Sequence, residues 1–277
     1  MGGSQPACVQ LNRLRPPDLI DTLSLSRFPF IHFPPGTFTS DISILIRHTI
    51  LHSTFWASSP RPLTSRSDFA LGTSQGTILV AEDQASWSFE RRMGFLDGGH
   101  DQRAKEVMAV DWLDGNVVLN GCRDGSVRFW DVRSRSVAGT SVPIVHGSAV
   151  NHVRRLGGNK VVVAGIEDRM ANYDLRFLRK EGGGRKGETR PCVVFRGYRN
   201  RELGALKVGF DVLGDRLVAA GMDDEGVVVF EGGTGGVVRG LGGGGGLAGC
   251  VRFVEGEGRE GRRLWVGGGR GIVEWAW

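Results

Sequence analysis

Cysteine is scarce in this chain: four residues in 277, Cys8, Cys122, Cys192 and Cys250, with no two close enough to form a CxxC pair. That spacing argues against a thiolate metal site and against a disulfide framework. Cys122 and Cys250 fall in apolar, strand-like contexts, where a free thiol behaves as a small buried hydrophobe, so a reducing intracellular setting, nucleus or cytoplasm, is expected. Long hydrophobic runs are missing as well. The most apolar stretch, residues 42–56, is broken by Arg47, His48 and His52 and is too short to span a bilayer. The first residues show no basic n-region followed by an apolar h-region. The expectation is a soluble protein without a membrane partner.

Signatures of catalysis are also lacking. The chain has no Gly-x-Ser-x-Gly elbow, no Walker loop, no His-Glu-x-x-His pair and no kinase signature set. A Gly-x-Gly-x-x-Gly match at Gly240, Gly242 and Gly245 lies in a polyglycine run, with no strand-to-helix unit around it. No catalytic residue, cofactor-binding residue or metal ligand is therefore assigned, and a non-enzymatic role is expected. Lysine supplies only five of the 35 basic residues, and the formal charge of +5 is spread along the chain. Without a basic stripe interleaved with aromatics, direct nucleic-acid binding is not expected.

What is present in quantity is glycine, 44 residues against 10 prolines, in a chain that is 40% hydrophobic and 23% charged. Such a composition can build a sizeable core, and without a Gly-X-Y period the glycines point to turns. Residues 118–133 show how they are used. Val118 and Leu119 begin an apolar run, Asp124-Gly125 supplies a tight turn, and Val127, Phe129 and Trp130 form a second run ending at Asp131. This reads as a β-hairpin.

The hairpin recurs. Counted from the first glycine of each turn, copies begin at Gly72, Gly121, Gly165, Gly221 and Gly267, spaced 49, 44, 56 and 46 residues apart. Second strands end in an aromatic followed by an acid at Trp130-Asp131, Tyr173-Asp174 and Phe230-Glu231. Further strands between the hairpins are expected at residues 107–113, 149–156, 205–210 and 247–254. Residues 176–190 read as a polar, locally basic insertion, and residues 232–246 as a glycine-rich loop around a short strand at Val237-Val238. Residues 1–40, rich in Pro, Ser and Thr, form a separate amino-terminal segment, either disordered or supplying a closing strand, ahead of a repeat domain over 41–277. Because the fifth copy ends after its third strand, an amino-terminal strand is expected to pair antiparallel with residues 271–275. Residues 42–46 are the leading candidate and residues 28–33 the second.

Gly99-His100 stands thirty residues before Trp130, and with the Trp130-Asp131 ending and a period near 40 to 45 residues the pattern resembles the WD-repeat family. The resemblance implies an all-β propeller of four-stranded antiparallel blades, with five recognisable repeats and a partial blade from the amino terminus. It also implies a structural hydrogen-bond network in which His100, Asp124 and Trp130 serve one blade, and His146, Asp168 and Tyr173 the next.

Arg133 and Arg176 each stand three residues past the aromatic in consecutive repeats. An arginine leaving the end of a strand there can present its planar fork to a partner's carboxylates or carbonyls, or simply pair with a neighbouring acid. Together with residues 118–125, 146–156 and 195–201, these endings resemble the cullin-4-associated-factor-4 group, the WD-repeat protein 21 type of ubiquitin-ligase substrate receptor. That resemblance implies a scaffold that docks on the damaged-DNA-binding adaptor of cullin-4 ligases and presents another surface to a substrate protein. Asp131, Arg133, Asp174 and Arg176 are then the docking candidates. The alternative is a WD-repeat scaffold in another assembly, such as chromatin or RNA processing.

Overall fold

The computed structural model describes residues 9–10, 55–62, 68–83, 86–93, 106–134, 141–180, 187–201, 208–224, 226–242, 247–255, 262–268 and 271–276. Among these every regular element is a β-strand, and the strands assemble into five four-stranded sheets built from antiparallel pairs. The first strand, β1 (Val9–Gln10), belongs to the last sheet. Sheet I runs β2 (Phe55–Pro60), β3 (Phe69–Thr73), β4 (Gly76–Asp83) and β5 (Ser86–Met93). Sheet II runs β6 (Val107–Trp112), β7 (Val117–Cys122), β8 (Ser126–Asp131) and β9 (Ser141–Val145). Sheet III is β10 (Val150–Arg155), β11 (Lys160–Gly165), β12 (Met170–Asp174) and β13 (Val193–Val194). Sheet IV is β14 (Phe210–Leu213), β15 (Leu217–Gly221), β16 (Val227–Glu231) and β17 (Val237–Leu241). Sheet V has the order β1-β20-β19-β18, with β18 (Cys250–Glu255), β19 (Arg262–Gly268) and β20 (Gly271–Ala276).

The chain divides into two compact units, one of Ile20–Val153 with Lys180–Thr189, the other of Met1–Leu19, Arg154–Arg179 and Arg190–Trp277. The division passes through β10.

In the first unit, sheets I and II share a core of Ala70, Leu79, Val107, Val110, Trp112, Val118, Cys122, Trp130 and Val132. The β7–β8 register sets Val118 opposite Trp130, so both side chains enter this core from the same face. Thr77, Asn120 and Trp112 pair polar groups buried beside them. Thr77 Oγ1 donates to Asn120 Oδ1 at 2.5 Å, both residues fully buried, and Trp112 Nε1 donates to the Ser59 carbonyl at 3.0 Å. Leaving any of these groups unmatched would cost more than the bond itself contributes, which fixes how the two sheets meet. Arg61 completes the junction, donating to the Gly115 carbonyl at 2.6 Å and to Asp68 at 3.1 Å, with its guanidinium 5.5 Å from the Trp112 ring centroid.

The second unit has two cores. One gathers Leu156, Met170, Phe195, Tyr198 and Phe230, with the Phe195 and Phe230 rings edge to face at 5.7 Å. The other joins sheets IV and V through Val227, Val229, Val251, Leu264 and Val266. Gly209 lets these two sheets approach. A β-carbon there would lie 2.5 Å from the Val251 nitrogen, so no larger residue fits without shifting the backbone.

Several expectations are corrected. The first strand of sheet IV is Phe210–Leu213, which meets the expected 205–210 only at Phe210; residues 205–207 lie outside the described residues. The glycine-rich segment 232–246 contributes a five-residue strand, Val237–Leu241, held to β16 by its backbone across a register shift at Val229/Phe230. An amino-terminal strand does pair antiparallel with β20, but it is β1, with Val9 opposite Glu274 and Gln10 opposite Val273. Residues 28–33 and 42–46, named for that role, lie outside the described residues.

Candidate docking surface

Strands β8 and β12 both end in an aspartate whose carboxylate engages the residue two positions further along the chain. Arg133 donates through its backbone N–H to Asp131 Oδ1 at 3.0 Å, through Nε to Oδ1 at 2.9 Å and through Nη2 to Oδ2 at 2.7 Å. Arg176 repeats the arrangement on Asp174, with distances of 3.0, 3.0 and 2.7 Å. The local cause is the turn. Ser134 and Phe177 each return a backbone N–H to the aspartate carbonyl at 3.0 Å, which brings the arginine beside the carboxylate two residues earlier. The guanidinium then closes a planar two-point fork. Of the two readings the sequence left open for these arginines, pairing with a neighbouring acid is realised within each fork. The Nη1 group of each arginine has no hydrogen-bond partner among the described residues.

The forks are electrostatically alike. Hydrogen bonds from the Arg133 side chain, then from its backbone, hold the Asp131 carboxyl down at about 2, and Arg176 does the same for Asp174. Both pairs stay fully ionised at neutral pH. They differ in setting, since the Asp174 side chain is 8% exposed against 34% for Asp131. Strand β16 ends in Glu231 instead, whose carboxylate accepts from the Thr234 hydroxyl and from its N–H at 3.0 Å. Gly233 occupies the place of the arginine, so the fourth copy has no fork.

The structural candidates separate in the same way. Trp130 and Tyr173 are both buried, as a strand-ending aromatic should be. Asp124 is engaged within its own hairpin, where Oδ1 accepts from the Ser126 N–H at 2.9 Å and hydroxyl at 2.6 Å, and Oδ2 from Arg128 Nη2 at 3.2 Å. Gly125 follows it at φ 85, a left-handed conformation that a residue without a side chain adopts freely. His146 is buried and its N–H donates to the Gly125 carbonyl at 2.8 Å, while His100 lies outside the described residues. Asp168 was expected to serve a histidine and Tyr173. Its carboxylate instead accepts from the Asn200 N–H at 2.9 Å and from Arg201 Nε at 2.6 Å. Glu167 and Asp168 are both at positive φ, 62 and 58, because the turn lacks the glycine found after Asp124, and these bonds hold it in that shape.

Residues 195–201 carried family resemblance in the sequence but no role. Here Phe195, Tyr198 and Asn200 are buried anchors, while Arg199 reaches Asp224 at 3.0 Å and the Arg201 N–H reaches Asp223 at 2.9 Å. Alternation of one aromatic or amide with one arginine was the available signal. Among the described residues no group of three or more His, Cys, Asp or Glu side chains could hold a metal ion.

Comparison with known proteins places the chain. It is 25% identical to WD repeat-containing protein 21 of Schizosaccharomyces pombe (strain 972 / ATCC 24843) over 220 residues, 68% of this chain and 48% of that protein. It superposes on the β-propeller domain of Cps50 (Swd1) from Myceliophteria thermophila with a TM-score of 0.56, covering 82% of this chain and 72% of that one at 14% identity. The chain is similar to a WD-repeat protein, and its fold is that of a β-propeller. The computationally designed Ika8 protein is a further structural match, at TM-score 0.52 and 16% identity over 76% of this chain and 55% of that one. No family model matches the sequence. The chain spans about half the length of the curated relative it matches. Its five four-stranded sheets are the blades that the repeats foretell.

Proposed function

We propose that this WD-repeat chain is a non-catalytic protein-interaction scaffold that acts as a substrate-receptor subunit of a cullin-4 RING ubiquitin ligase. The observation that carries the reading is the Asp-Arg fork repeated at the ends of β8 and β12 with the same hydrogen bonds. Similarity to WD repeat-containing protein 21 supports it. In each fork the aspartate fixes the guanidinium plane and leaves Nη1 for an acceptor on the adaptor, so the arginine is ordered before it binds. Another surface of the scaffold takes the substrate protein.

Affinity purification of the tagged chain followed by mass spectrometry is expected to recover the damaged-DNA-binding adaptor and a cullin-4 subunit. The double variant Arg133→Glu with Arg176→Glu is expected to lose both while remaining folded, because reversed charge at a complementary interface is repulsive and neither arginine supports a core. Adaptor recovery at wild-type level by the folded double variant would remove the docking role. Recovery of a stable chromatin or RNA-processing complex in its place would favour the other scaffold reading.

A further inference from the structure

The two forks are not equivalent beyond the arginine. Phe177 follows Arg176, is 61% exposed, and lies with its ring centroid 5.2 Å from the Arg176 Cζ. Its backbone N–H is tied to the Asp174 carbonyl at 3.0 Å. At the matching point after β8 stands Ser134, with the same backbone bond at the same distance. A polar residue therefore satisfies the turn, and the aromatic is not required by the local fold.

A lone exposed apolar side chain is ordinary on a protein surface. This one is distinguished by what fixes it. The guanidinium is pinned by a mostly buried carboxylate, the ring packs against that guanidinium, and the backbone of both residues is bonded to Asp174. Arginine and aromatic side chains held rigidly side by side lose little freedom when covered, and this is the make-up of the few residues that dominate binding at protein interfaces. Apolar exposure also continues in the same unit. Val194 and Val237 are exposed and line a groove of about 560 Å³ with Cys192, Arg196 and Gly235. One wall of the groove is bonded to Asn172, two residues before Asp174 on β12, whose carbonyl accepts from the Cys192 N–H at 2.8 Å; its Nδ2 donates to the carbonyl of Gly232, two residues before the other wall begins at Thr234, at 3.2 Å.

We infer that Arg176 and Phe177 form the energetic centre of the docking surface, with Phe177 entering an apolar pocket of the adaptor and Arg176 Nη1 donating to a carbonyl or carboxylate at its rim. This rests on the adaptor-docking reading proposed above.

The test is biolayer interferometry between the full chain and the purified adaptor, comparing wild type with Phe177→Ser and Phe177→Leu. Since the side chain is exposed, neither change opens a core, and both variants are expected to melt with the wild type. Phe177→Ser, which installs the residue found after the other fork, is expected to weaken binding about tenfold or more, mainly through faster dissociation, and Phe177→Leu to restore most of it. The loss should persist at high salt, unlike the effect of a rim charge. If wild type binds and Phe177→Ser binds equally well, the inference is overturned while the docking role stands. If wild type does not bind the adaptor at all, both fall together.

Discussion

Arg201 Nε donates a 2.6 Å hydrogen bond to Asp168 Oδ2, tying the segment that follows β13 to the turn between β11 and β12. With the Asn200 N–H on the other oxygen, Asp168 holds two residues in a left-handed turn that glycine would adopt without help. Asp168→Ala is expected to cost ~1–2 kcal/mol, since it removes both bonds and leaves the turn strained. Asp168→Asn should cost less, because asparagine tolerates the same conformation. Chemical denaturation of the two variants checks this, and equal losses would show that the turn conformation contributes nothing.

Trp130 is the largest side chain fully inside the core shared by sheets I and II. Its replacement by alanine is expected to cost about 3–5 kcal/mol through lost packing and a residual cavity. A melting curve unchanged from wild type would mean that the ring does not support this core.

The paired carboxylates predict an acid response of definite sign. Asp131 and Asp174 titrate at about 2 in the folded chain against an ordinary value of 3.8, so the stability each fork contributes is fully present above about pH 4 and is lost as pH falls through 2. Between pH 5 and pH 2 the Asp131→Asn, Asp174→Asn double variant should therefore lose less melting temperature than wild type. Both arginines are more than half exposed, so solvent keeps the difference small. Parallel curves would contradict the assignment.

Thiol chemistry separates the cysteines. Cys122 is fully buried, and burial pushes its thiol up to about 12, whereas Cys192 is exposed. At pH 8 a thiol held at that value is ionised in only about one molecule in 10,000. In a Cys8→Ser background, a disulfide reagent is expected to modify Cys192 first, and Cys192→Ser should abolish the fast phase. A fast phase lost instead in Cys122→Ser would show that the core of sheets I and II opens readily.

Most of the fold was legible because the central hairpins state themselves twice. An apolar run such as residues 161–164 buries completely, and the turn beside it carries glycine or aspartate. The outer strands do not. β13 is only two residues, Val193 half-buried and Val194 exposed, and β17 shows four of its five residues outside the core, so neither displays the alternation that a buried face imposes. At the forks the residue types and spacing were readable, but their closure on Asp131 and Asp174 depends on the turns formed by Ser134 and Phe177. The partner of Asp168 was hidden for another reason: residues 195–201 return to it from beyond an insertion, and no local pattern records such a contact.

The pairing of β1 with β20 bears on how the protein is made. Every other sheet draws its four strands from one continuous stretch, whereas sheet V needs Val9 and Glu274 together. A ribosome delivers Val9 well before Glu274, with the strands of sheets I to IV between them. Residues 9–10 must therefore wait, without their partner strand, while sheets I to IV can form in sequence behind them. Of these five sheets, sheet V would be the last to complete. Residues 9–10 are then the segment of these sheets that remains longest open to wrong pairing in a nascent chain, and where a chaperone that shields unpaired strands would have most to do.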